Sequence, residues 1–85
     1  MNLYQTFVNQ RLRSLTPSEI IELGRNNGIL INQNESILIA QKLNSSNVDV
    51  FNDTERIKLL EEVATITSPY LANEVEKLFQ QFTSN

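Results

Sequence analysis

The chain has 85 residues, 40% of them hydrophobic and 20% charged, an ordinary composition for a globular protein with room for one core. It contains no cysteine and no histidine, which excludes disulfide bonds, cysteine-ligated zinc, thiol catalysis and the commonest general base. Its net charge of −3 gives no overall attraction to nucleic acid or to anionic lipid.

The chain shows no membrane or export signal. No segment approaches the roughly 20 apolar residues of a membrane span. The first five residues also lack the basic and then apolar order of a signal peptide. We therefore expect a cytoplasmic protein with no membrane partner. Only two glycines and two prolines occur, and this scarcity of helix breakers favours helices.

The strongest local pattern is a helix N-cap residue followed three positions later by a glutamate. The pairs are Thr16 with Glu19, Asn32 with Glu35, and Asn52 with Glu55. In such a capping box, the first side chain accepts a hydrogen bond from the glutamate's amide, and the glutamate carboxylate accepts one from the cap amide. A fourth helix start, Ser68 before Pro69, has the cap and the proline without the glutamate.

The first predicted helix covers residues 2 to 14 and is amphipathic. Its apolar stripe consists of Leu3, Phe7, Val8, Leu12 and Leu15, and its polar side of Gln5, Asn9 and Arg13. The second helix begins at Pro17, after the Thr16 cap, and Gly28 is expected to end it. Because Gly24 inside this helix costs about 1 kcal/mol relative to alanine, we expect another backbone to approach closely there.

The middle of the chain alternates connectors and helices. Residues 28 to 31 are expected to form a short extended connector that inserts into the core. The third helix is predicted at about 33 to 44. It contains three consecutive apolar residues, Ile37, Leu38 and Ile39, which cannot all share one stripe. This helix is therefore either central or in contact with something else on one side.

Two further helices, at about 53–66 and 69–82, complete the chain, and the last three residues should fray. The cap positions 16, 32, 52 and 68 lie 16, 20 and 16 residues apart. Residues 16–44 and 52–80 are therefore predicted to have the same helix–connector–helix arrangement. The predicted fold is an all-α, compact bundle of about five short helices: a leading helix plus two helix–connector–helix units. We expect residues 1–85 to form a single helical domain.

The acidic residues raise two alternatives, calcium binding and catalysis. The loop from Asn47 to Glu55 has oxygen-bearing side chains at alternate positions, but Phe51 interrupts them and no glycine follows, unlike an EF-hand. The serines have no histidine to activate them, and neighbouring glutamates on a helix do not face one another. We therefore expect no enzymatic activity, no metal and no cofactor.

The leading functional hypothesis is a protein–protein interaction or small regulatory module. Its partner would be an unknown protein or a second copy bound through the third or fifth helix. The candidate surface consists of Ile37, Leu38, Ile39, Phe79 and Phe82. These residues supply more apolar side chain than short helices need to bury, although an ordinary core position is the favoured explanation for most of them.

The alternative hypothesis is a nucleic-acid-binding, helix-turn-helix-like domain. Arg11, Arg13 and Arg25 would supply the contacts, which requires that they form one contiguous basic face. The third helix would be the recognition helix, yet it has one cation, Lys42, together with Glu35. Nucleic acid is therefore the less favoured partner.

Several stretches together resemble a known family. They are Leu3-Tyr4-Gln5-Thr6, Asn9-Gln10-Arg11-Leu12, Leu15-Thr16-Pro17-Ser18-Glu19-Ile20, Val50-Phe51-Asn52-Asp53-Thr54-Glu55-Arg56-Ile57-Lys58-Leu59-Leu60 and Ile66-Thr67-Ser68-Pro69. Their order is similar to that in a family of short uncharacterised Firmicute proteins catalogued only as a domain of unknown function. The resemblance covers nearly the whole chain and implies a cytoplasmic bacterial protein, without implying an activity, a cofactor or a site residue.

Overall fold

The computed structural model describes residues 2–83, which form five α-helices and no strand. The helices are α1 (Leu3–Arg13), α2 (Pro17–Asn26), α3 (Gln33–Ser45), α4 (Asp53–Ile66) and α5 (Pro69–Thr83). The predicted all-α class is confirmed, and the boundaries lie close to those expected from the caps. The last three residues were predicted to fray; Thr83 instead ends α5, and residues 84 and 85 lie outside the described residues.

Two complete capping boxes start α2 and α3. At α2, Glu19 N donates to Thr16 Oγ1 at 3.2 Å and Thr16 N donates to Glu19 Oε1 at 2.9 Å. At α3, Glu35 N donates to Asn32 Oδ1 at 2.8 Å and Asn32 N donates to Glu35 Oε1 at 3.0 Å. Both glutamates are therefore used to satisfy backbone amides at a helix start, as predicted.

The third predicted capping box is only half formed. Glu55 N donates to Asn52 Oδ1 at 3.0 Å, but the Glu55 carboxylate accepts from Asp49 N at 3.1 Å. The reason is that Asn52 N already donates to Asp49 O at 3.0 Å, so the glutamate reaches another loop amide. At α5, Ser68 Oγ accepts from Leu71 N at 3.0 Å, which confirms the fourth cap.

The end of α2 has the close backbone approach predicted at Gly24. Gly28 has a φ of +75°, and Ile29 N donates to Gly24 O at 2.8 Å while Gly28 N donates to Arg25 O at 3.2 Å. These are the two hydrogen bonds of a Schellman motif. The connector then folds back over α2 and places Ile29 and Ile31, but not the residue between them, in the core.

One apolar core joins all five helices. Its members are Val8, Leu12, Leu15, Ile20, Ile29, Ile31, Ile39, Ala40, Leu43, Val50, Leu59, Leu60, Val63, Leu71, Ala72, Val75 and Phe79. The helices pack as two pairs, α2 with α3 and α4 with α5, which are the two predicted helix–connector–helix units. Because α3 also contacts α1 and α4, it is the central helix.

The exposed face of α1 differs from the prediction. Leu3 is 89% exposed and Phe7 is 65% exposed, although both were assigned to the buried stripe. The buried apolar residues of α1 are Val8 and Leu12, and Leu15 is buried in the turn that follows. Leu3 and Phe7 form a separate row from Val8 and Leu12, because residues four apart lie above one another on a helix. The folded protein buries the row of Val8 and Leu12 and leaves the row of Leu3 and Phe7 in solvent.

Asn9 is buried, although it was predicted on the polar side of α1. Its Oδ1 accepts from Val50 N at 3.1 Å, and its Nδ2 donates to Asp49 Oδ1 at 3.0 Å. Asp49 Oδ1 also accepts from Phe51 N at 3.0 Å. Asn9 therefore fixes α1 to the α3–α4 loop, and these hydrogen bonds use the carboxylate of Asp49, which lies in the loop considered above for calcium.

Candidate functional site

A groove of about 450 Å³ lies between α1 and α2. It exists because α1 packs on α3 rather than along α2, so the side chains of these consecutive helices do not close over each other. Its floor consists of the buried Val8, Leu12 and Leu15 and the partly buried Leu23 and Phe82. Five apolar side chains from three helices and the α1–α2 turn therefore form one concave surface.

The two walls of the groove differ in polarity. On α1, the exposed ring of Phe7 lies one helical turn before Arg11. On α2, the wall carries Ser18, Glu22 and Asn26, a row of exposed polar side chains at four-residue spacing. A ligand in the groove would therefore meet an apolar floor, one aromatic wall and one polar wall.

An ion pair links the two walls near the α1–α2 turn. Arg11 Nη2 donates to Glu19 Oε2 at 2.5 Å. The hydrogen bond from Arg11, together with the one from the Thr16 amide, lowers the pKa of Glu19 to about 2, and the same ion pair raises the pKa of Arg11. Both charges are thus paired. Among the lining residues, Glu22 is the remaining charged side chain, and it forms no ion pair within residues 2–83.

A small cavity of about 60 Å³ lies beneath the groove and shares Leu12, Leu15, Leu23 and Phe82 with it. Phe82 lies in the last turns of α5, where its carbonyl accepts a hydrogen bond from Tyr4 Oη at 3.1 Å. The groove floor is therefore backed by a second, smaller apolar cavity.

The predicted partner surface on α3 and α5 is not one surface. Ile39 and Phe79 are 2% and 3% exposed and belong to the core, which corrects their assignment to a partner surface. Ile37 and Leu38 are exposed to just over a third on α3. Phe82 alone of the five predicted residues lines the groove.

The three predicted nucleic-acid contacts do not form one basic face. Arg11 pairs with Glu19 across the groove. Arg13, about 200° further around α1, donates from Nη1 to Asn47 Oδ1 in the α3–α4 loop. Arg25 is exposed in the last turn of α2. The condition set for the nucleic-acid hypothesis therefore fails.

Sequence reasoning missed the groove because it placed Phe7 in the core and left Glu22 without a role. A signal was present in α1. Within α1, the row of Leu3 and Phe7 ends in Arg11, whereas the adjacent row of Tyr4 and Val8 ends in Leu12. A row that ends in a charge is typical of the border of a buried stripe, where side chains remain accessible.

The fold and the groove define a small all-helical protein with one open apolar concavity between its first two helices. The chain belongs to the family described as "Protein of unknown function (DUF2624)", which matches residues 1–83, so the resemblance seen in the cap and core motifs is confirmed. A relative is the uncharacterised protein YqfT of Bacillus subtilis (strain 168), which is 38% identical over 84 residues, covering 99% of this chain and 100% of the relative.

No solved structure matches the chain. Within residues 2–83, no helix has both the length and the apolar character needed to cross a membrane. Neither the description of the family nor the name of the relative specifies an activity. A functional proposal for this chain therefore depends on the geometry and the charges of the groove itself.

Proposed function

We propose that the protein is a non-enzymatic protein–protein interaction module that binds a partner in the groove between α1 and α2. The observation that carries this proposal is the ring of Phe7, which is 65% exposed at the edge of an open apolar groove. Aromatic side chains beside apolar pockets are the positions where binding energy concentrates in protein interfaces. Leu3, one turn earlier and 89% exposed, extends the same apolar surface.

The way the acidic side chains are used supports a role without catalysis. Glu19, Glu35 and Glu55 accept hydrogen bonds from backbone amides at helix starts or in a loop. Glu62 pairs with Lys42 and Glu76 with Arg56 across neighbouring helices, while Glu74 pairs with Lys77 within α5. These carboxylates stabilise the fold, and none of these six lines the groove except Glu19.

The test compares three versions of the full chain as affinity baits in an extract of its native host. These are the wild type, Phe7→Ser in the groove, and Tyr70→Ser as the matched control. Tyr70 is an aromatic residue that is 71% exposed on α5 and does not line the groove. Since both side chains are largely exposed, we expect both variants to fold, which circular dichroism checks.

The expected result is a protein retained by the wild type and by Tyr70→Ser but lost with Phe7→Ser. Calorimetry with the purified partner should then show at least a roughly tenfold weaker affinity for Phe7→Ser, as for a truncated aromatic anchor. Retention of the same proteins by all three baits, or no retained protein that purified wild type binds, would contradict the proposal.

A further inference from the structure

We infer that the occupant of the groove is an amphipathic helix of another protein that places a lysine or arginine against Glu22. This inference rests on the proposed function and adds the secondary structure and the charge of the partner. It follows from the shape of the groove, from the distribution of its charges and from the area available to a second copy of this chain.

The shape of the groove fits a helix lying beside α1. The lining residues of α2 run from Ser18 to Asn26, a distance of about 12 Å at the rise of an α-helix, which matches two turns of a bound helix. Such ligands present apolar anchors at i, i+3 or i+4, and i+7 to an apolar groove. Here Leu12, Leu15 and Leu23 form the floor beneath those anchors, and Phe7 covers one side.

The charges of the groove select a basic partner. Arg11 and Glu19 neutralise each other, so the uncompensated charge on the walls is that of Glu22, between the uncharged Ser18 and Asn26. The whole chain has a net charge of −3. A cationic side chain on the flank of the bound helix is therefore attracted by Glu22 and by the protein as a whole, and an acidic one is repelled.

A second copy of the chain fits the groove less well. The exposed apolar side chains on this face of α1 are Leu3, Tyr4 and Phe7, and together they offer roughly 400 Å², against about 800 Å² per partner in a standard interface. Two copies would also bring together two chains of net charge −3. A short helix needs less area and supplies the missing positive charge.

The probe is a labelled model peptide of about 16 residues, long enough to hold a helix, with leucines at i, i+3 and i+7 and lysines on the flanks. A second peptide has glutamates in place of the lysines, and a third has the first composition in scrambled order. Fluorescence anisotropy measures their binding to the full chain at low salt. The protein variants are Glu22→Lys, Phe7→Ser and, as the control, Glu61→Lys.

Glu61→Lys is a matched control because Glu61 is exposed on α4 and does not line the groove, while both charge reversals change the net charge equally. We expect the wild type to prefer the lysine peptide. Glu22→Lys should lower the affinity for the lysine peptide by about 3- to 10-fold, since exposed ion pairs contribute modestly. The same variant should bind the glutamate peptide more tightly than the wild type does. Glu61→Lys should change binding by less than about twofold, and added salt should reduce these differences.

Several results would overturn the inference: equal effects of the two charge reversals, equal binding of the scrambled peptide, no binding of the lysine peptide, or Phe7-dependent dimerisation of the wild type in sedimentation experiments. The outcomes also separate the inference from the proposed function. If capture of a partner requires Phe7 but binding of the peptides does not change with Glu22→Lys, the inferred basic helix is wrong and the proposed docking groove is still supported. If nothing depends on Phe7, both are wrong.

Discussion

At position 24 there is no room for a side chain larger than that of glycine. A Cβ at this position would lie 2.9 Å from Ile29 O and 2.9 Å from Ile31 Cδ1. Replacement by alanine gains about 1 kcal/mol of helix propensity. It also pushes the connector backbone away from α2, and overpacking of this kind costs about 1–3 kcal/mol. We expect the net effect of Gly24→Ala on stability to be a loss, because the Cβ meets a carbonyl oxygen and the backbone moves less easily than the end of a side chain.

We therefore predict that Gly24→Ala lowers the free energy of unfolding by about 1–2 kcal/mol in urea titrations. Gly28→Ala separates steric from conformational effects, since nothing lies within 4 Å of a Cβ there but φ is +75°. It should cost about 1–2 kcal/mol through the left-handed backbone alone. A Gly24→Ala protein as stable as the wild type would mean that the connector does not rest on α2 as described.

Arg56 on α4 forms hydrogen bonds to α5, to the α3–α4 loop and to the first turn of its own helix. Its side chain is 12% exposed, and Nε lies 3.0 Å and 3.3 Å from the two carboxylate oxygens of Glu76 on α5. Its Nη1 donates to Val50 O at 3.1 Å and to Asp53 Oδ1 at 2.9 Å. Removing the guanidinium would leave a largely buried carboxylate and a loop carbonyl without these donors.

We predict that Arg56→Met lowers the free energy of unfolding by about 2–3 kcal/mol, the cost of leaving charged hydrogen-bond partners unsatisfied. The double variant Arg56→Met with Glu76→Gln should recover part of that loss, because the side chain at position 76 no longer carries a buried, unpaired charge. Lys58→Met is the control, since Lys58 is an exposed cation on the same helix, and it should cost under about 0.5 kcal/mol. Equal losses for Arg56→Met and Lys58→Met would contradict this account.

At the scale of the helix, the start of α2 combines a capping box with an ion pair to α1. The hydrogen bond from Arg11 is the largest cause of the lowered pKa of Glu19, about 2 instead of 4.5. The folded protein therefore binds fewer protons than the unfolded chain between these two values. The resulting stabilisation is complete above about pH 4.5 and is lost as the pH falls through about 2.

We predict that Glu19→Gln removes this pH-dependent component while keeping the cap, since a glutamine oxygen can still accept from the Thr16 amide. The difference in urea midpoint between wild type and variant should be constant above about pH 4.5 and shrink towards pH 2. Glu22→Gln makes the same change on the same helix without removing an ion pair. Because Arg11 and Glu19 are partly exposed, measurements at low salt are needed. A difference that stays constant across this range would contradict the assignment.

The helix boundaries could be predicted from the sequence because a cap is a local interaction. Thr16 and Asn32 need only the next three residues to form their hydrogen bonds. Which row of α1 becomes buried is a different kind of question. Its answer depends on how α1 packs against α3, and in the folded protein Val8 is buried whereas Phe7 is exposed. Asn9 was misplaced for the same reason, since its partners are about 40 residues away in the chain.

The groove was harder to predict than the fold because it is a gap between elements. Arg11 and Phe82 both line it, yet the sequence assigned them to two different hypotheses, a nucleic-acid face and a partner surface. Apolar residues at helical spacing indicate that a side chain is suited to burial. They do not indicate whether a neighbouring helix supplies the cover, and this is what distinguishes Phe79 from Phe7.

At the scale of the whole molecule, the exposed face of α1 is not a result of loose packing. The radius of gyration is 11.8 Å, against about 12 Å expected for a folded chain of this length. Within residues 2–83, no buried side-chain nitrogen or oxygen lacks a hydrogen-bond partner. The core is therefore well packed and its buried polar side chains are hydrogen-bonded. Leu3 and Phe7 nevertheless stay exposed to solvent.

Truncation of the exposed Phe7 and of the buried Phe79 should have very different effects on stability. The total stability of an 85-residue domain is roughly 4–13 kcal/mol, and truncating a buried phenylalanine costs about 3–5 kcal/mol. Phe79→Ala, at a core position that is 3% exposed, should therefore remove much of the stability and lower the melting temperature strongly. Phe7→Ala should cost less than about 1 kcal/mol. Calorimetric melting of both variants checks this.

The comparison also tests the groove independently of any partner. If Phe7→Ala were as destabilising as Phe79→Ala, the ring of Phe7 would have to be packed in solution, and α1 would close the gap to α2. The groove would then be unavailable for docking. A small effect at Phe7 and a large one at Phe79 would instead mean that the folded protein keeps an aromatic side chain in solvent without needing it for stability, as expected for a residue that contacts a partner.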